Sequence, residues 1–149
     1  MKSALVATAM SIAQALGADY PHKWLHAMEQ IESGGNPTAI GDGGRARGAF
    51  QFHKSAWDFA TRIRRKAGLP TWPYSKATDQ GIARMYAQSY LANLQARLAE
   101  DTGRQPRPSE IYLAWNMGYA GFERLGFQPW RAEDARYDAA MRYENLCNR

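Results

Sequence analysis

Glu32 is followed by Ser33, Gly34 and Gly35, then by Asn36-Pro37 and a polar run from Gly41 to Gln51. This joins a carboxyl group to a tight polar hairpin. A carboxyl placed over a groove can deliver a proton to a glycosidic oxygen if it stays protonated near neutral pH, and burial against apolar groups keeps it so. Two other carboxylates bear on the assignment. Glu29 lies one turn earlier on the same helix, lacks the following serine, and reads as a surface or helix-packing residue. Asp42 is the only carboxylate of the hairpin; inside Gly41-Asp42-Gly43-Gly44 it serves turn chemistry, or else acts as the second carboxylate that an ordinary glycosidase uses on water or sugar.

The elements that must hold these groups are mostly helical. Trp24, Leu25, Met28 and Ile31 recur at helical spacing, so Glu32 falls at a helix end that Ser33, Gly34 and Gly35 stop and Asn36-Pro37 forbids from continuing. The segment around residues 38 to 50 reads as the one β-hairpin, with Asp42-Gly43 its turn. A helix from Gln51 to Lys66 comes next, with apolar Trp57, Phe59, Ala60 and Ile63 and a basic end at Arg62, Arg64, Arg65 and Lys66 that reads as a solvated face. Gly68 to Ser75 is a loop whose Trp72 and Tyr74 either cap the core or stack on sugars. Thr78 or Asp79 caps a long central helix, marked by Ile82, Met85, Tyr86, Leu91, Leu94 and Leu98 and ending by Gly103. After a linker at residues 105 to 108, a helix runs through Ile111, Tyr112 and Trp115; Gly118, Gly121 and Gly126 then break up the chain. A last helix is expected from Ala132 to Leu146, with Tyr137, Met141 and Leu146 inward. At the N-terminus, Leu5, Ala9, Ile12 and Leu16 favour a folded amphipathic helix over a signal peptide.

Composition limits the classes available. A chain of 149 residues can bury a core without disulfides or metal, and its single cysteine, Cys147, reads as a surface thiol. The net charge of +5 attracts polyanions, among them nucleic acid, teichoic acids and stem-peptide carboxylates. No interleaved basic and aromatic module supports a nucleic-acid partner, and no segment is apolar enough to span a membrane. His22 and His26 have ligand spacing but no third ligand, so no metal is expected; nucleophile elbows, phosphate loops and dinucleotide fingerprints are missing too, and no cofactor is implied.

Glu32-Ser33 with Asn36-Pro37, Gly48 three residues before Gln51, Tyr90-Leu91, Ala114-Trp115-Asn116-Met117-Gly118 and Arg136-Tyr137 occur in that order. Together they resemble the soluble lytic transglycosylase (SLT-type) branch of the lysozyme-like superfamily, over nearly the whole chain. The resemblance implies one lysozyme-like catalytic domain over residues 1–149, mainly α with a small β-hairpin beside the catalytic helix. It implies cleavage of peptidoglycan strands at the MurNAc-GlcNAc β-1,4 bond with formation of a 1,6-anhydro ring, outside the cytoplasm where that polymer lies. Glu32 would be acid and then base, with Ser33, Gln51, His53, Trp115, Asn116 and Tyr137 shaping the substrate site. Gln51 would bond sugar, or else a backbone group at a helix start; Asn116 would face the groove or fasten two helices; Tyr137 would set its hydroxyl near the acid or serve the core.

Several positions depart from the family pattern. Phe50 replaces a methionine, His53 stands where a methionine often lines the groove, and Trp115 replaces a tyrosine. Ala46 occupies the position where animal-type lysozymes carry an aspartate. Two alternatives therefore stand beside the transglycosylase: a muramidase hydrolysing with Asp42, and an inactive wall-binding or assembly protein.

Overall fold

The computed structural model describes residues 20–149, so the N-terminal helix expected over Leu5, Ala9, Ile12 and Leu16 lies outside the described residues. Within them the protein is mainly helical with one small antiparallel hairpin. The order is α1 (His22–Ser33), β1 (Ile40–Gly41), β2 (Ala46–Arg47), α2 (Lys54–Lys66), α3 (Gln80–Thr102), α4 (Pro108–Met117), α5 (Tyr119–Arg124) and α6 (Asp134–Cys147). Single 3-10 turns at Asp42–Gly44, Tyr74–Thr78 and Pro129–Arg131 connect them.

Local chemistry sets the ends of α1 and α3. Gly34 takes the left-handed conformation after Ser33; its N–H donates to Gln30 O and that of Gly35 to Glu29 O, the paired bonds that close a helix on glycine. Asp79 begins α3 by accepting from the Ile82 N–H at 3.0 Å, and left-handed Gly103 ends it. α3 is the centre of the fold. Ala83, Tyr86, Ala87, Tyr90, Leu91, Leu94 and Leu98 are buried along it, and α2, α4 and α1 pack around it. α6 closes the other side against α1 and α4.

Buried ions fasten these helices. Glu29 is 2% exposed and pairs with Arg84 of α3 at 3.1 Å, which ties the acid-bearing helix to the centre. Arg84→Met would strand that carboxylate in the core. The Arg84 side chain is itself 34% exposed, so screening and water limit the expected loss to about 1–2 kcal/mol, measurable by urea denaturation. At the far end Arg107 makes a two-pronged contact with buried Glu144, while Glu110 accepts from the Arg107 N–H and from Arg104, pinning the start of α4 to α6.

Four expectations change. The helix expected from Gln51 begins at Lys54, because residues 47 to 52 are still bridged to the hairpin, with Arg47 and Phe52 exchanging backbone bonds. Arg64 is not on a solvated face. It is 3% exposed and donates to Pro70 O, Met85 O and Ser89 Oγ, with the Trp72 and Tyr86 rings beside it. Cys147 is buried rather than a surface thiol, beside Tyr143, and burial pushes its thiol up to about 11. Gly121 does not break the chain but lies within α5, where an added Cβ would come within 3.2 Å of Met117 Cβ.

The loop aromatics fold inward. Trp72 and Tyr86 exchange a backbone–phenol contact, Trp57 stacks on Tyr86 at 3.8 Å and donates to Trp72 O, and the Tyr74 hydroxyl donates to Phe52 O. No described helix is long and apolar enough to cross a membrane.

Candidate active site

Glu32 stands on the last turn of α1, where the helix stops and the chain turns into the hairpin. It opens into a cleft of about 800 Å³ whose walls come from the hairpin, α2, α3, the end of α4 and α6. Burial pushes its carboxyl up to about 7. No compensating cation is present: among the described residues Glu32 makes no hydrogen bond or ion pair. Its carboxyl is therefore an acid poised to give a proton near neutrality.

The rival carboxylates are engaged elsewhere. Glu29 faces the core and Arg84. Asp42 does line the cleft, at φ 49°, a left-handed conformation that aspartate tolerates better than most residues. Its carboxylate contacts Arg45 at 3.0 Å and the His53 Nε2 at 3.1 Å. It is thus held across the mouth of the hairpin by two basic side chains.

The residues matched by resemblance divide into two groups. Gln51, His53, Trp115 and Asn116 line the cleft with Glu32. Ser33 and Tyr137 do not. The Ser33 hydroxyl donates to Ala49 O at 2.7 Å, which stitches the end of α1 to the hairpin. Tyr137 is half-buried on α6, the helix that Glu144 ties to Arg107 at the start of α4. The Tyr112 phenol does sense Glu32: it is pushed up to about 12 by burial and then by the Glu32 charge. The sequence marks Tyr112 only as a core position, yet its spacing of four from Asn116 sets both on one side of α4.

Gln51 combines two roles. Its side-chain nitrogen donates to Gly48 O at 3.0 Å and Ala39 O at 3.3 Å, and its backbone is left-handed at φ 49°. The amide thus braces the two arms of the hairpin while the residue lines the cleft. Phe50, in place of a methionine, is fully buried and packs toward Trp115. Trp115 is half-buried, with Phe52 at 5.0 Å and Tyr90 at 5.2 Å, so its ring forms part of an apolar floor.

Beyond the matched residues, Phe59, Arg62, Arg97, Met117, Tyr119 and Arg136 complete the walls. Among the described residues no three His, Cys, Asp or Glu side chains gather as a metal site. The chain was compared with family models, curated proteins and solved structures, and it matches none of them.

Proposed function

We propose that this protein is a peptidoglycan lytic transglycosylase, of the kind its motifs resemble, working outside the cytoplasm. The observation that carries this reading is Glu32: a carboxyl in an open cleft, shifted by burial to about 7 and paired with no cation among the described residues. Protonated Glu32 gives its proton to the oxygen leaving MurNAc C1, and the glycosidic bond breaks. The carboxylate then takes the proton of the MurNAc C6 hydroxyl as that oxygen bonds to C1. No water is consumed, and Glu32 is left protonated for the next cycle. Because the first step needs the acid form, activity falls as pH rises through about 7.

Gln51, His53, Trp115 and Asn116, which line the cleft, would contact sugar, and Tyr112 sets the surroundings of the acid. Mass spectrometry of digested peptidoglycan tests the reading: anhydro ends support it, reducing ends mark a hydrolase, and the absence of products marks a wall-binding protein.

One observation favours the hydrolase as a second reading, namely that Asp42 faces the same cleft as Glu32. Its contacts with Arg45 and His53 argue for a structural part. Asp42→Asn keeps the left-handed turn and should leave cleavage within a few-fold. Loss of cleavage at an unchanged Tm, with reducing-end products from the parent, would establish hydrolysis.

A further inference from the structure

Two arginines on the walls of the cleft have no carboxylate partner among the described residues. Arg62 reaches from α2 over the Phe59 ring at 5.5 Å, and Arg97 from α3 lies on the Tyr119 ring at 3.7 Å. Neither forms an ion pair among the described residues. Asp101, one turn beyond Arg97, accepts from the Tyr119 hydroxyl instead. The guanidinium thus rests on a ring that Asp101 in turn fixes, at the wall of the cleft.

These cations stand in a definite relation to the acid. The apolar floor passes by contact from Trp115 to Tyr90 at 5.2 Å and from Tyr90 to Phe59 at 5.6 Å, and Arg62 covers the end of it. Arg97 acts on the same Tyr90, whose phenol is raised by burial and partly lowered by the Arg97 charge. A floor of rings suits sugar faces, whereas unpaired guanidiniums suit carboxylates, which they bind in a fork of two hydrogen bonds. The sugar rings themselves offer nothing to them, and in a peptide-bearing strand the MurNAc lactyl carboxyl is masked as an amide, which leaves the carboxylates of the stems.

We propose that Arg62 and Arg97 form a carboxylate subsite for the peptide stems borne by the glycan, so that the substrate is peptide-bearing rather than bare strand. This rests on the peptidoglycan reading for the origin of the carboxylate. Binding separates the two claims. Calorimetry on the intact chain carrying Glu32→Gln, in which cleavage is suppressed, would compare peptide-bearing strands, strands with amidated stem carboxylates, and a ribitol-phosphate polymer. Peptide-bearing strands should bind at least about tenfold tighter than amidated ones, the effect of one charge-assisted hydrogen bond. Adding Arg62→Gln and Arg97→Gln together should abolish that preference. Arg65→Gln, which removes the same charge from an exposed position of α2 outside the cleft, should retain it.

Equal binding of amidated and peptide-bearing strands would overturn the subsite, as would tighter binding of the phosphate polymer or a preference surviving in the double variant. The amidated strands need no arginine variant, so a failure of the double variant to fold leaves a decisive comparison. If the preference holds while the parent yields no anhydro products, the lytic reading fails and the subsite stands. Anhydro products formed without any preference would show the reverse.

Discussion

Glu32→Gln will lower glycan cleavage by a factor of at least about 10² to 10⁴, the range for losing a general acid, and will also make the protein more stable at alkaline pH. The second effect is a matter of linkage. Burial raises the carboxyl from 4.5 to about 7, so between those values the folded state holds a proton that the unfolded state has released. The stability this confers is complete below about pH 4.5 and lost as pH rises through about 7. Above that, the folded protein carries a desolvated carboxylate. The neutral amide removes this burden, with an expected gain of about 1–3 kcal/mol at pH 8 and little change at pH 4; the open side of the cleft keeps it below the full cost of the shift. Melting curves at the two pH values check this. An equal Tm difference at both would mean that Glu32 is not buried against its charge, and retained turnover would move the acid elsewhere.

Gly48→Ala is the substitution expected to damage the fold most. Gly48 is buried at φ 81°, its N–H donates to Ala39 O at 2.8 Å, and an added Cβ would lie 1.8 Å from the Ala77 carbonyl oxygen. That obstacle is backbone and cannot swing aside. Left-handed strain of about 1–2 kcal/mol combines with an overlap costing about 1–3 kcal/mol or more, so a loss near 3–5 kcal/mol and a Tm drop on the order of 10 °C are expected. Cleavage should fall with it, since the hairpin wall must move away from residues 74 to 78. A near-silent Gly48→Ala in calorimetry would show that the hairpin is not packed against that turn.

The features legible in the residues are those that local chemistry decides. The end of α1 at Gly34, the Asp79 cap, the stop at Gly103 and the turn at Asp42-Gly43 each need only a few neighbours in the chain. The near half of the cleft is legible for the same reason, because Glu32, Gln51 and His53 border one short hairpin. The far half is not. Phe59, Arg62, Tyr90, Arg97 and Tyr119 meet only because α2, α3 and α5 converge, and helical periodicity marks the face turned to the core rather than the flank that borders a groove. Arg64 shows the same limit. Nothing near it in sequence announces that Pro70, Met85 and Ser89 supply its hydrogen-bond partners. Tyr112 and Tyr137 differ by position in three dimensions, one buried and sensing the acid and one half-buried outside the cleft lining, although both are helical tyrosines.

The hairpin beside Glu32 has only the pairs Ile40 with Arg47 and Gly41 with Ala46, too short a ladder to persist alone. It is held by Ser33 from α1 and by Tyr74 from the turn before α3. Half of the cleft wall therefore exists only after distant parts of the chain have packed, and the acid acquires its altered titration at the same moment. Under the proposed function, competence and folding arrive together: a chain caught partway, whether emerging from synthesis or unfolding under heat, has the glutamate but no groove, and glycan cleavage would serve as a gauge of the fully assembled fraction.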